Sequence, residues 1–190
     1  MHFSKKLKNI FRKNNSHLCI GLDTDIRKLP QFLLTDTSPA FEFNKLIIEC
    51  TSDLVCAYKL NTAFYESMGE LGWNTMRQTV KNIPDEIITI ADAKRGDIEN
   101  TSELYARTFF DEFEFDAITL HPYMGSDSVR PFLRRKNKFI FLLAVTSNYG
   151  SKDFQFLKIG KKSLYEIVIE KALGWNNHKI GFVVGANNTK

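Results

Sequence analysis

The chain has 190 residues, 26 Lys and Arg against 22 Asp and Glu, a net charge of +4, and 43% hydrophobic residues, which suits one globular domain and excludes a disordered, collagenous or repeat protein. The basic runs at Lys5, Lys6, Lys8, Arg12 and Lys13, and at Arg134, Arg135, Lys136 and Lys138, read as solvated faces in preference to a nucleic-acid surface. No apolar run approaches the roughly 20 residues of a membrane span, and Cys19, Cys50 and Cys56 form no C-x-x-C pair, so a protein of the reducing cytoplasm is expected, with no membrane or nucleic-acid partner.

In chain order, Phe3, Leu7, Ile10 and Phe11 fall at helical spacing among lysines, with no acidic residue before Asp23. A helix closing one end of the domain is expected there, in preference to an organelle presequence. Apolar runs then predict strands at 18–22, 55–60, 87–93, 117–120, 139–145 and 181–185. They are continuous, not alternating, as in strands buried on both faces. Helices are predicted at 39–52, around Phe43, Leu46, Ile47 and Cys50; at 74–82, stopped by Pro84; at 101–113, with Leu104, Tyr105, Thr108 and Phe109; and at 163–173. Strand and helix in alternation imply a parallel sheet with right-handed crossovers.

An open doubly wound sheet and a closed barrel both satisfy that alternation. Reactive residue types follow several strands at their carboxyl ends: Asp23, Lys59 with Asn61, Asp92 with Lys94, His121 and Ser147. A site assembled from many strand ends is the habit of the (β/α)8 barrel, whereas an open sheet gathers its ligand at one switch point. No G-x-G-x-x-G or P-loop supports a dinucleotide fold. An α/β protein of TIM-barrel type is therefore expected, as one domain over residues 1–190.

The segment Ile90 to Ile98 carries the densest chemistry. Positions two apart on a strand share a face, so Asp92 and Lys94 are expected to point into the barrel mouth, with Asp97 on the following loop and Lys59 on the neighbouring strand. Four ionisable groups of alternating sign would meet there. Each close opposite pair is worth about 4 kcal/mol at intermediate dielectric, enough to keep them charged. A fixed ammonium suits a reaction that expels CO₂ and leaves a carbanion, while a carboxylate facing the substrate's carboxylate disfavours the ground state. No histidine cluster has metal-ligand spacing, so no metal or cofactor is expected. Spacing alone leaves open a plainer reading, in which these are surface charges in weak ion pairs.

Asp92-Ala93-Lys94-Arg95-Gly96-Asp97-Ile98 resembles the D-x-K-x-x-D-I signature of the orotidine 5′-monophosphate decarboxylase family, in its DAKRGDI variant. Cys19 to Asp23 resembles the family's first strand, Tyr58 to Glu66 the second, His121 to Gly125 the fourth, Thr146 to Asn148 the fifth, and Gly181 to Ala186 the sixth. The resemblance implies decarboxylation of orotidine 5′-monophosphate to uridine 5′-monophosphate, the last step of de novo pyrimidine synthesis, without metal or cofactor. It assigns Lys59, Asp92, Lys94 and Asp97 to the catalytic network, with Lys94 protonating C6. It assigns Asp23 to the ribose hydroxyls, Asn61 to the ligand's flank, Ser147 to the pyrimidine ring, and Asp97 and Thr101 to the neighbouring subunit's site. A homodimer is implied, and orotate phosphoribosyltransferase is a candidate partner. Plainer roles stay open for Asp23 as a helix cap, Asn61 in a turn and Ser147 in a loop.

The departure lies at the end of the chain. Six strands are predicted, whereas an eight-stranded barrel usually needs about 250 residues. The expectation is that two strands are lacking, with the glycine-rich phosphate loop and its arginine, and that the longer gene product is the competent enzyme. Two other readings are kept: a metal-dependent sugar-acid-phosphate decarboxylase of the same superfamily, against which Arg95-Gly96 and Ile98 count, and a non-catalytic remnant. His121 is read as a packing residue at a strand end.

Overall fold

The continuous apolar runs become the strands of a single sheet in a computed structural model that describes residues 2–176 and 178–188. In chain order these are β1 (Cys19–Gly21), β2 (Ala57–Asn61), β3 (Ile88–Arg95), β4 (Ala117–Leu120) and β5 (Phe139–Val145). A short antiparallel hairpin of β6 (Lys158–Ile159) and β7 (Lys162–Ser163) precedes β8 (Ile180–Val184). Six strands pair in parallel in the order β1-β2-β3-β4-β5-β8. Sequential neighbours pair throughout, as in a barrel, and the two edges among the described residues are β1 and β8. Parallel strands align their carboxyl ends at one rim, which is what can gather residues remote in sequence.

Helices cover the outer face. They are α1 (Phe3–Asn14), α2 (Pro39–Thr51), α3 (Thr62–Glu66), α4 (Gly69–Asn82), α5 (Glu99–Arg107), α6 (Ser126–Arg134), α7 (Ser151–Phe154) and α8 (Leu164–Asn176). Tyr58, Leu60, Ala91, Ile118 and Leu142 are fully buried in the strands they belong to. That burial is why the strands read as continuous apolar runs and not as alternating ones. The helix expected at 101–113 is α5 continued by a π-turn at Thr108–Glu112.

The amino-terminal helix closes one end, as its apolar stripe predicts. Phe3 and Ile10 are buried, and the Phe3 ring stacks on Phe139 at 4.4 Å. Lys6 Nζ lies 2.5 Å from Asp116 Oδ2, Lys13 Nζ lies 2.8 Å from Glu86 Oε1, and Asn14 Nδ2 donates to the carbonyls of Ser52 and Val55. Every one of these partners precedes or opens a strand. α1 therefore seals the amino-terminal end and leaves the opposite rim free.

Three helices, α3, α6 and α7, escaped the sequence reading, and α6 is the longest of them. α6 holds Pro131 in its interior and ends in the second basic run, so it reads as a breaker followed by a solvated face. In the fold Val129, Pro131 and Phe132 are buried, while Arg134 pairs with Glu99 and Arg135 with Glu103 and Asp111. Part of that basic run thus docks α6 against α5 and its π-turn. The cysteines are unpaired, with Cys56 buried and Cys19 and Cys50 exposed. No helix among the described residues is long and apolar enough to cross a membrane.

Candidate active site at the carboxyl rim of the sheet

Asp92 is the hub of the rim. Its strand pairs with β2 in a register that sets Asn61 opposite Asp92, so the Lys59 side chain approaches from the next strand. Lys59 Nζ lies 3.1 Å from Asp92 Oδ2, and Lys94 Nζ lies 2.8 Å from Oδ1. The buried Thr119 of β4 donates its hydroxyl to the same Oδ1 at 2.8 Å. Burial alone would raise the Asp92 carboxyl. The Lys94 hydrogen bond, the Lys59 charge and the Thr119 hydroxyl outweigh it and hold the group below the ordinary carboxylate range.

Asp23 joins this cluster from β1. Its Oδ2 stands 3.7 Å from Lys59 Nζ, and its Oδ1 accepts the Asn61 backbone N–H at 3.1 Å. Beneath it, a buried polar knot fixes the chain on both sides. Tyr65 donates to the Leu22 carbonyl at 2.7 Å, Thr24 donates to Asn44 Oδ1 at 2.5 Å, and Asn44 Nδ2 donates to Tyr65 and Thr79. Burial pushes the Tyr65 phenol far above its ordinary value, so it stays a neutral donor. The carboxylate of Asp23 is placed by residues that never reach the rim.

Lys94 is presented by an irregular backbone. Pairing between β3 and β4 shifts register between Ala91 and Arg95, and Lys94 adopts φ +49. A non-glycine residue there costs about 1–2 kcal/mol and persists only where its surroundings hold it. Regular alternation, expected to bring Asp92 and Lys94 together, is thus interrupted at Lys94 itself. The two side chains meet through a bulge, with the Lys94 N–H donating to Thr119 Oγ1 at 3.0 Å. The Lys94 side chain is 47% exposed, so its pair with Asp92 is worth nearer 1 kcal/mol than the 4 expected of an enclosed pair.

The expected quartet of charges needs one correction. Asp23 stands with Lys59, Asp92 and Lys94, whereas no hydrogen bond or ion pair among the described residues joins Asp97 to them. Asp97 lies on the loop leading into α5, where its Oδ1 takes the Ile98 N–H at 2.7 Å and its backbone holds Ser102. Thr101 sits in the first turn of α5, and no hydrogen bond among the described residues joins it to the cluster. Asn61 caps α3, accepting the Ala63 N–H at 3.2 Å, so the local role open to it in the sequence is realised. Ser147 is exposed just past β5, against the Gly185 backbone and beside a groove lined by Tyr149, Lys152, Phe156 and Asn187.

Several supports were missed in the sequence. Thr119 is one, its only signal being a hydroxyl in an otherwise apolar strand. Arg95 is another: it pairs with Glu66, donates to the Ala93 carbonyl, and lies over the rings of Tyr105 and Phe109. It ties the end of β3 to α3 and α5. Gly96 accommodates His121, whose Nε2 would stand 2.4 Å from a Cβ at that position. The His121 ring therefore lies against Gly96, just past the end of β4.

A parallel half-barrel whose charged groups converge from successive strand ends defines an enzyme of the (β/α)-barrel class. Residues 16–190 match the model of the orotidine 5′-phosphate decarboxylase / HUMPS family, and the chain belongs to that family. Curated relatives named orotidine 5′-phosphate decarboxylase include one from Christiangramia forsetii, 49% identical over 98% of this chain and 70% of its own length. Another, from Bacteroides fragilis, is 52% identical over 98% of this chain and 69% of its own. A solved orotidine monophosphate decarboxylase from Leishmania donovani superposes with a TM-score of 0.89 at 39% identity, covering 99% of this chain and 72% of that one. A Leishmania donovani UMP synthase gives the same TM-score at 40% identity, with 40% of that longer chain covered. These solved relatives share the barrel fold expected from the sequence, and this chain spans about 70% of the curated relatives' length.

Proposed function

We propose that this protein decarboxylates orotidine 5′-monophosphate to uridine 5′-monophosphate. The observation that carries the reading is the Asp92 carboxylate held between two ammonium groups, one of them, Lys94, half exposed at the rim. The names of relatives at about half identity support it. They do not favour the sugar-acid-phosphate alternative.

In this reading the bond from C6 of the pyrimidine to its carboxylate breaks, CO₂ leaves, and the electron pair stays on C6. The Lys94 ammonium stabilises that charge and delivers its proton to C6. Asp92, kept ionised by Lys59, Lys94 and Thr119, aims Lys94 and opposes the substrate's own carboxylate. Asp23 binds the ribose hydroxyls, Asn61 flanks the ligand and Ser147 meets the pyrimidine ring. Asp97 and Thr101, unengaged with the cluster of their own subunit, serve the site of a second copy. Exposed Ile98 and Leu104, next to them along the chain, support a homodimer at that face. Three unpaired cysteines support a cytoplasmic setting, and orotate phosphoribosyltransferase is the proposed partner.

The test is the loss of orotidine 5′-monophosphate absorbance with the purified protein, with Lys94→Ala and with chelator. Turnover that persists in chelator and falls by at least about three orders of magnitude in the variant is expected. Turnover abolished by chelator, or undiminished in Lys94→Ala, refutes the reading.

A further inference from the structure

We propose that Thr119 is a positioning residue of this site, its hydroxyl setting the Lys94 ammonium against Asp92 by holding the carboxylate and the lysine's own backbone at once. The inference rests on the decarboxylase reading for its consequence and on geometry for its substance.

A threonine hydroxyl has one proton to give and lone pairs to accept with. The Lys94 backbone N–H can only donate, and it donates to Thr119 Oγ1 at 3.0 Å. The single hydroxyl proton is therefore free to go to Asp92 Oδ1, 2.8 Å away. Both capacities are used, in one direction, and each bond polarises the other. Thr119 is 3% exposed, so water does not substitute for it.

The position of Lys94 requires such a hold. Its φ of +49 lies at the register shift between β3 and β4, where ladder pairing is interrupted. The Thr119 hydroxyl takes the N–H at that interruption. Asp92 Oδ1 accepts Thr119 as well as Lys94 Nζ, while Oδ2 is met by Lys59. Backbone and ammonium of Lys94 are thus referenced to the same carboxylate edge. Thr119 reaches the reacting atoms only through these two residues, and its removal affects orientation, not substrate contact.

Thr119→Val keeps the branched shape and removes the hydroxyl, and Thr119→Ser keeps the hydroxyl. For Val the expectation is a kcat lowered by on the order of tenfold or more with KM within about twofold, since alignment and not ground-state binding is lost. The acid limb of the pH profile should move upward, because Asp92 loses a donor to its ionised form. Hydrogen exchange at the Lys94 amide should quicken by about tenfold or more in Val and stay close to wild type in Ser, which also restores kcat. Unchanged kcat in Val, unchanged Lys94 protection in a folded Val protein, or failure of Ser to restore either quantity overturns the proposal. A wild type without turnover overturns the reading of the reaction instead, and exchange at Lys94 then decides whether Thr119 holds this end of β3.

Discussion

At the scale of single residues, the site couples charge to backbone strain. Lys94 meets Asp92 from a left-handed conformation that glycine adopts freely and alanine does not. Lys94→Gly should therefore be more stable than Lys94→Ala by about 1 kcal/mol, although both lose the ammonium and the activity. Urea unfolding of the pair measures this, and equal midpoints would mean that the conformation at 94 is not enforced. Asp92 supplies a pH signature. Its folded carboxyl titrates below the unfolded value, so its stabilising share is fully present above about pH 4 and is lost as pH falls through the depressed folded value. The stability gap between wild type and Asp92→Asn should accordingly narrow on acidification below about pH 4, a trend read from urea midpoints at a series of pH values. A gap that widens on acidification would contradict the assignment.

At the scale of elements, the two ends of the sheet have separate tasks. α1 seals the amino-terminal end through Phe3, Ile10 and its pairs with Asp116 and Glu86, while the rim opposite carries the chemistry. Phe3→Ala should destabilise the protein by about 3 kcal/mol, since a buried ring stacked on Phe139 leaves a cavity. Turnover of the protein that remains folded should be unchanged. A fall in kcat matching the loss in stability would show the ends to be coupled. The apolar stripe of α1 was legible because four residues at helical spacing have one arrangement that hides them all. α6 was illegible because Pro131 and its basic tail look like a boundary, and only the acids of α5 and its π-turn give Arg134 and Arg135 their partners.

At the scale of the whole molecule, the parallel sheet brings Asp23, Lys59, Asp92, Lys94 and Thr119 to one rim from four strands or strand ends, while no hydrogen bond or ion pair among the described residues joins Asp97 or Thr101 to that cluster. The exposed apolar residues beside them give the proposed dimer its test. Leu104→Glu, on an outward face of α5, should shift sedimentation from dimer to monomer and lower activity with it, because a buried unpaired carboxylate opposes association. A dimer unaffected by the substitution would place the interface elsewhere.

The sequence by itself determined the alternation of strand and helix, the helix that closes one end, and the reactive residues at strand ends, because burial on both faces and helical periodicity leave local patterns. It also carried the signature from Asp92 to Ile98 that the family match bears out. Tertiary structure alone decided that Asp23 stands with the lysines while Asp97 does not, that Lys94 reaches Asp92 through a bulge, and that Thr119 holds both. The physical reason is that hydrogen bonds and ion pairs across a parallel sheet join residues tens of positions apart, and their direction is set by register and backbone torsion, which no spacing along one strand records.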